Sequence, residues 1–220
     1  MLKSLKDALR KLYPRAALTK EITMSMHIKQ IVVGPMQNFA YLLWDHDTKE
    51  GAIIDPGWEH EKLLKEAERL GLRIIAVLLT HTHFDHLQDL EPLLRKISAP
   101  VYVHEHEAKT LPSSAKTVTT RDGSKIVLGK SEVLCHHTPG HSPGCQCFEV
   151  DDILVTGDTL FIDSCGRIDL PGSDPKAMKT SLAKLVLFRE QLVVYPGHDY
   201  GETPTATLGE QKKTNPYLRK

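Results

Sequence analysis

"LLTHTHFDHLQDL", residues 78–90, places three histidines and an aspartate within six positions: His81, His83, Asp85 and His86. The run "RIIAVLL" (73–79) leads straight into it and reads as a strand buried on both faces. Residues two apart on chain leaving a strand point the same way, so His81 and His83 grip one ion from one side. The chain then turns into a helix, and Asp85 and His86 face a neighbouring spot. One short loop thereby supplies donors to two adjacent metal positions.

A closed metal shell needs further donors. Three later stretches offer them, each in a loop that stops a strand: His141 in "HHTPGHSPG" (136–144), Asp158 in "LVTGDTLF" (154–161) and His198 in "VVYPGHDYG" (193–201). Such loops are where a rigid scaffold positions functional side chains. A carboxylate has two oxygens, so Asp158 can bridge. The economical assignment is His81, His83, His141 and Asp158 around one ion, with Asp85, His86, His198 and Asp158 around the other. Metals paired in this way lie about 3.5–4 Å apart and bring a shared water to a pKa near ~7. The remaining histidines, His27, His46, His60, His104, His106, His136 and His137, are read as ordinary structural residues.

The bulk numbers set the frame. The chain has 220 residues, 40% hydrophobic and 25% charged, which suits one large soluble domain with a sizeable core. Lys+Arg and Asp+Glu balance at 28 each, so no global field draws in nucleic acid or anionic lipid. No stretch approaches a membrane span. The four cysteines are too few and too irregular for a disulfide framework, and Cys145 and Cys147, two apart on a strand, are read as small buried residues. A reducing, cytoplasmic location is expected.

Residues 1–25 read as an extension: "MLKSLKDALRKLY" puts Leu2, Leu5, Leu9 and Leu12 on one face of an amphipathic basic helix, expected to pack on the domain or to join two copies in a homodimer. Residues 26–220 form the domain. Strands are expected at "HIKQIVV", "NFAYLLWD", "GAIIDPG", "RIIAVLL", "PVYVH", "EVLCHH", "QCFEV", "ILVTG" and the start of "QLVVYPGHDY". Helices are expected at "EHEKLLKEAERLG", with Gly71 as its stop, at "LQDLEPLLRKIS", at "SDPKAMKTSLAKLVLF", with Asp174 as N-cap and Pro175 in the first turn, and at "TATLGEQKK". Asp122-Gly123 marks a hairpin between "KTVTT" and "KIVLG". This order suggests an α/β fold with two mixed sheets face to face and helices outside. Arg167 is expected to pair with Asp169 and fix its loop.

"THTHFDH", "TPGHSPG", "GDTLF" and "PGHDYG" resemble the successive metal-binding motifs of the metallo-β-lactamase-fold superfamily, over about residues 26–220. The resemblance implies a four-layer αββα sandwich. β-Lactamases with the common zinc pattern carry Cys where this chain has Asp158. "GPMQNFAYLL", "AIIDPG" and "CGRIDLPGSD" look closer to the glyoxalase II-like hydrolases and persulfide dioxygenases, and "TLGEQKKTNPYL" resembles the short glyoxalase II-like hydrolases. Classical glyoxalase II carries a C-terminal helical domain that helps hold glutathione, which is not expected in this chain, and the family often has glycine where this chain has Asp89. The implied activity is hydrolysis of a thioester or similar acyl compound, a small-molecule substrate such as a glutathione conjugate. It would use two divalent ions, zinc first and iron or manganese as substitutes, with Asp85 orienting the attacking hydroxide. The alternative is a persulfide dioxygenase, with a single Fe(II) on His81, His141 and Asp158. A non-catalytic metal-binding module is the third.

Overall fold

In the computed structural model, which describes residues 25–219, the strand expected at "NFAYLLWD" is present and buried throughout. Strand β1 (Met26–Val33) pairs with β2 (Asn38–Asp45) over eight residues, from Met26 opposite Asp45 to Val33 opposite Asn38. All of β2 is buried: Phe39, Tyr41 and Leu43 face one layer, and Ala40, Leu42 and Trp44 the other. β3 (Glu50–Ile54) follows antiparallel. Beyond helix α1 (His60–Arg69) the sheet continues in parallel through β4 (Arg73–Leu78), β5 (Val101–His104) and β6 (Thr117–Thr120), in spatial order β1-β2-β3-β4-β5-β6. Helices α2 (Phe84–Leu87) and α3 (Leu90–Leu94) lie between β4 and β5.

The second sheet holds β7 (Lys125–Leu128), β8 (Ser131–His137), β9 (Gln146–Val150), β10 (Ile153–Gly157), β13 (Val193–Pro196) and β14 (Ala206–Thr207), in order β14-β13-β10-β9-β8-β7. A ribbon of β11 (Leu160–Phe161) and β12 (Ser164–Cys165) follows β10, and helices α4 (Pro175–Leu185) and α5 (Leu208–Thr214) cover the outer face. Phe39, Tyr41, Ile54 and Leu78 meet Ile126, Val133, Phe148 and Val155 between the sheets. Leu63, Ala67, Leu90 and Leu93 seal the outside of the first sheet; Met178, Leu182, Leu185 and Leu208 seal the second. The αββα order is therefore the observed one.

Two expectations need correction. The strands flanking Asp122-Gly123 do not form a hairpin: β6 pairs with β5 in the first sheet, and β7 with β8 in the second. Gly123 does turn, with φ of 80°, but its N–H donates to Cys135 O at 2.8 Å and Ser124 O accepts from Cys135 N at 2.8 Å, so β8 captures the turn. A turn-forming dipeptide sets a reversal, not the strand that will pair. The helix expected over 87–98 is broken at Gln88-Asp89. Pro92 has no N–H to continue the ladder, and Asp89 is engaged elsewhere: its carboxylate accepts from His60 N at 2.9 Å and faces His60 Nδ1 at 2.8 Å. Asp89 thus pins the start of α1.

Other expectations fall into place. Asp174 accepts from Lys176 N at 2.8 Å and Ala177 N at 3.1 Å, with Pro175 opening α4. Thr207 and Glu210 form a capping box at α5. The Arg167–Asp169 pair exists, with both N–O distances 2.9 Å, yet both side chains are 67% exposed, so it is a surface pair of little energetic weight. Cys135, Cys145 and Cys147 are buried free thiols; Cys147 lies in β9, and Cys145 just precedes it. The amphipathic helix and the homodimer built on it fall outside the described residues. Among those residues no helix is long and apolar enough to cross a membrane.

One buried acceptor links the sheets. Asp45 accepts from Asp47 N at 3.0 Å, Thr48 N at 2.9 Å and, across to the β7–β8 turn, Lys130 N at 2.9 Å. Asp45→Ala leaves these donors without a partner, so we expect a loss of about 2–4 kcal/mol in a denaturant titration, with little change in chemistry at the distant site.

Candidate metal centre

The loop Thr80–Asp85 leaves β4, and α2 begins at Phe84, so His81 and His83 sit on extended chain while Asp85 and His86 ride the first turn. His141 lies between β8 and β9, Asp158 directly after β10 and His198 directly after β13. All seven residues meet at one end of the sandwich. The rings of His81, His83 and His141 stand nearly perpendicular, at 80–85°, with centroids 4.5–5.0 Å apart. Beside them, His86 Nε2 lies 3.3 Å from His198 Nε2 and 3.3 Å from Asp158 Oδ1. His198 Nε2 lies 3.4 Å from Asp85 Oδ2 and 3.4 Å from Asp158 Oδ2, and His141 Nε2 is also 3.4 Å from Asp158 Oδ2. Asp158 therefore faces both groups.

The backs of the rings decide their chemistry. His141 Nδ1 donates to Arg167 O at 2.9 Å and His198 Nδ1 to Met36 O at 2.9 Å. A carbonyl only accepts, so a proton sits on Nδ1, and Nε2 of each ring faces the centre. His86 Nδ1 faces Asp55 Oδ2 at 3.1 Å, and His81 Nδ1 faces Thr80 Oγ1 at 3.1 Å. Thr80 Oγ1 in turn donates to Asp55 Oδ2 at 2.6 Å. His81 Nε2 is fully buried and has no hydrogen-bond partner. Asn38 Nδ2 donates to Asp85 Oδ2 at 2.8 Å. The sequence reading missed Asp55 and Asn38. The only signals for them were a carboxylate at the end of "AIID" and an amide opening "NFAYLLWD".

Backbone geometry permits this crowding. A Cβ on Gly197 would stand 2.1 Å from Asp158 Oδ1, and one on Gly57 1.8 Å from Asp85 O. Only glycine allows His198 and Asp85 so close to their neighbours.

Burial drives the His81 imidazole well below its ordinary pKa, and the adjacent His86 pushes the same way. Burial likewise lowers His83, beside His141. Burial would raise Asp158, but the charge of His86 and hydrogen bonds from His198 and His86 hold it well below the carboxylate range. Asp85 is held low in the same manner by His198, His86 and Asn38. Burial opposes a charge on His198, yet Asp158 and Asp85 raise it to about 9. His86 is raised by Asp158 and Asp55 against the same penalty. Two ionised carboxylates thus favour positive charge at the centre, which His86 and His198 supply as protonated rings.

The donor set fits metal better than protons. A tetrahedral shell of radius ~2.0–2.1 Å has edges of about 3.3–3.4 Å, which are the spacings found around His86, His198 and Asp158. His81 Nε2 has no other use. The cysteines belong to none of these donor groups.

The sequence profile of the Metallo-beta-lactamase superfamily matches residues 33–198. "Probable polyketide biosynthesis zinc-dependent hydrolase PksB" of Bacillus subtilis is 28% identical over 184 residues, covering 83% of this chain and 82% of its own. "Hydroxyacylglutathione hydrolase GloC" of Haemophilus influenzae is 30% identical over 213 residues, covering 88% and 98%. Among solved structures, ETHE1 from Myxococcus xanthus superposes with a TM-score of 0.79 at 28% identity, covering 86% of this chain and 83% of that one. From the profile match over most of its length, the shared fold and the clustered His and Asp donors, the chain belongs to the metallo-β-lactamase superfamily, a family of metal-binding, mainly hydrolytic enzymes.

Proposed function

We propose that the protein is a two-metal hydrolase acting on a thioester or similar acyl compound. His81, His83, His141 and Asp158 would hold one ion, and Asp85, His86, His198 and Asp158 the other. Zinc is the first choice, with iron or manganese as substitutes. The observation that carries this reading is the buried, partnerless His81 Nε2 facing a set of donors already spaced as a metal shell. Ions held there would supply a hydroxide nucleophile at neutral pH and positive charge for the developing oxyanion and leaving thiolate.

The chain's own residues do the rest. Asp85, fixed by Asn38, is placed to orient the nucleophile by accepting its proton's hydrogen bond. Asp55 and Thr80 fix the tautomers of His86 and His81, and the carbonyls of Met36 and Arg167 do so for His198 and His141. Tyr200, half exposed, lies flat on His198 at 4.6 Å and 11°, and Phe84, between His83 and Asp85, is 58% exposed. These two rings offer an apolar rest for the acyl portion. The likeness to GloC supports a glutathione conjugate as the small-molecule substrate. Four free cysteines support a cytoplasmic setting.

The likeness to ETHE1 favours one rival, the iron persulfide dioxygenase with Fe(II) on His81, His141 and Asp158. One experiment separates the two. Purified protein is assayed for metals by elemental analysis, for glutathione-thioester hydrolysis and for oxygen uptake with glutathione persulfide. We expect at least two metal equivalents and hydrolysis without oxygen uptake. A single iron with oxygen uptake would establish the rival, and turnover of neither substrate would remove both.

A further inference from the structure

Among the described residues a second group of three histidines lies outside this centre, and the proposed hydrolysis makes no use of it. His104 ends β5, His106 follows two residues later, and His137 ends β8, so the group straddles both sheets. His104 is buried, His137 half-buried and His106 exposed. One nitrogen from each lies within 4.8 Å of the others. The His106 ring stands at 77° to His104 and 80° to His137. His106 Nδ1, at 3.3 Å, and His137 Nε2, at 3.0 Å, converge on the single carbonyl oxygen of Pro143.

Both nitrogens donate N–H groups to that carbonyl, and in the other tautomer of each ring the same nitrogens present lone pairs, as an ion requires. We propose that His104, His106 and His137 form a second metal site, separate from the seven-donor centre, for Zn²⁺ or another ion that favours imidazole. His106 is the common ligand, being perpendicular to both partners. His104 and His137 stack at 3.8 Å and 10°. A ring's lone pair lies in its plane, so the stacked pair cannot both face one ion as they stand. His137, the less buried of the two, turns out of the stack and exchanges its bond to Pro143 O for the ion.

The surroundings suit a cation held by neutral rings. Burial, with His137 and His106 adding to it, pushes His104 down to about 4, and burial lowers His137 too. Protons therefore compete little for the nitrogens of His104 and His137 at neutral pH. Nearby, Glu105 is paired with Arg121, and Asp122 with Lys184. Glu107 is buried, accepts from Gly144 N at 2.8 Å and keeps Oε2 without a partner. Two carboxylates are thus neutralised and one remains to favour positive charge.

The test is zinc stoichiometry in untagged, full-length protein after equilibrium dialysis against free Zn²⁺, measured by elemental analysis. We expect wild type to hold one equivalent more than His106→Ala, with the variant's melting temperature in zinc-free buffer and its hydrolytic rate unchanged. His106→Cys, which restores a zinc donor, recovers the equivalent, and His106→Gln does not. Equal zinc in wild type and His106→Ala overturns the proposal, as does loss of more than one equivalent in the variant.

Discussion

Asp158→Ala is expected to empty both metal positions and lower hydrolysis by at least about a thousandfold. The reason lies in its two oxygens: Oδ1 faces His86, and Oδ2 faces both His141 and His198. Among the described residues no other carboxylate is found facing histidines of both donor groups. An ion at such a site supplies several kcal/mol of transition-state stabilisation, and each ~1.4 kcal/mol is a factor of ten in rate. The variant also leaves His86 and His198 without the carboxylate that favours their charged forms. Asp158→Asn keeps the shape but offers one accepting oxygen and no charge, so one ion should bind weakly and the other not at all. The measurement is metal content after competition with a chelator, with circular dichroism as the check on folding. Full metal content in Asp158→Ala would refute the bridging role.

The second large effect is expected at Asp55, which touches no substrate. It is 2% exposed and accepts from Thr80 N at 2.8 Å and Thr80 Oγ1 at 2.6 Å while facing His86 Nδ1 at 3.1 Å. In Asp55→Ala these donors lose their acceptor at once. The His86 proton is then free to move to Nε2, where it points into the centre and must be displaced by the metal. Partners of this kind are worth about 10–100-fold in metal affinity. Stability should fall by about 3 kcal/mol or more, because the orphaned donors stay buried. Chelator titration reads the first effect and denaturant titration the second. Wild-type affinity in Asp55→Ala would show that the imidazole orients itself without help.

Much of the centre was legible because its chemistry is written in rare residue types at strand ends. A histidine two residues from another, just past an apolar run, has few structural uses, and all seven predicted donors converge. Asp55 and Asn38 were not legible. A buried carboxylate supporting a histidine 31 positions later looks, in sequence, like any aspartate at a strand end. The carbonyls of Met36 and Arg167 leave no sequence signal, since every residue has one. The layers followed from the order of strands and helices, each read from a local pattern such as the apolar run of β4. The pairing of β6 and β7 did not follow, because partner choice depends on contacts far along the chain. The break before α3 hinged on Asp89 reaching back to His60, a tertiary contact that overrode a sound helical pattern.

His81, His83, Asp85 and His86 hang from the first sheet, whereas His141, Asp158 and His198 hang from the second. Each half of the sandwich therefore carries only fragments of both metal shells. Neither half can complete a binding site before the other has docked, so ion capture comes late in folding and rewards only correct closure. Ions bound as proposed would act as a clasp across the seam, and opening either half would release them.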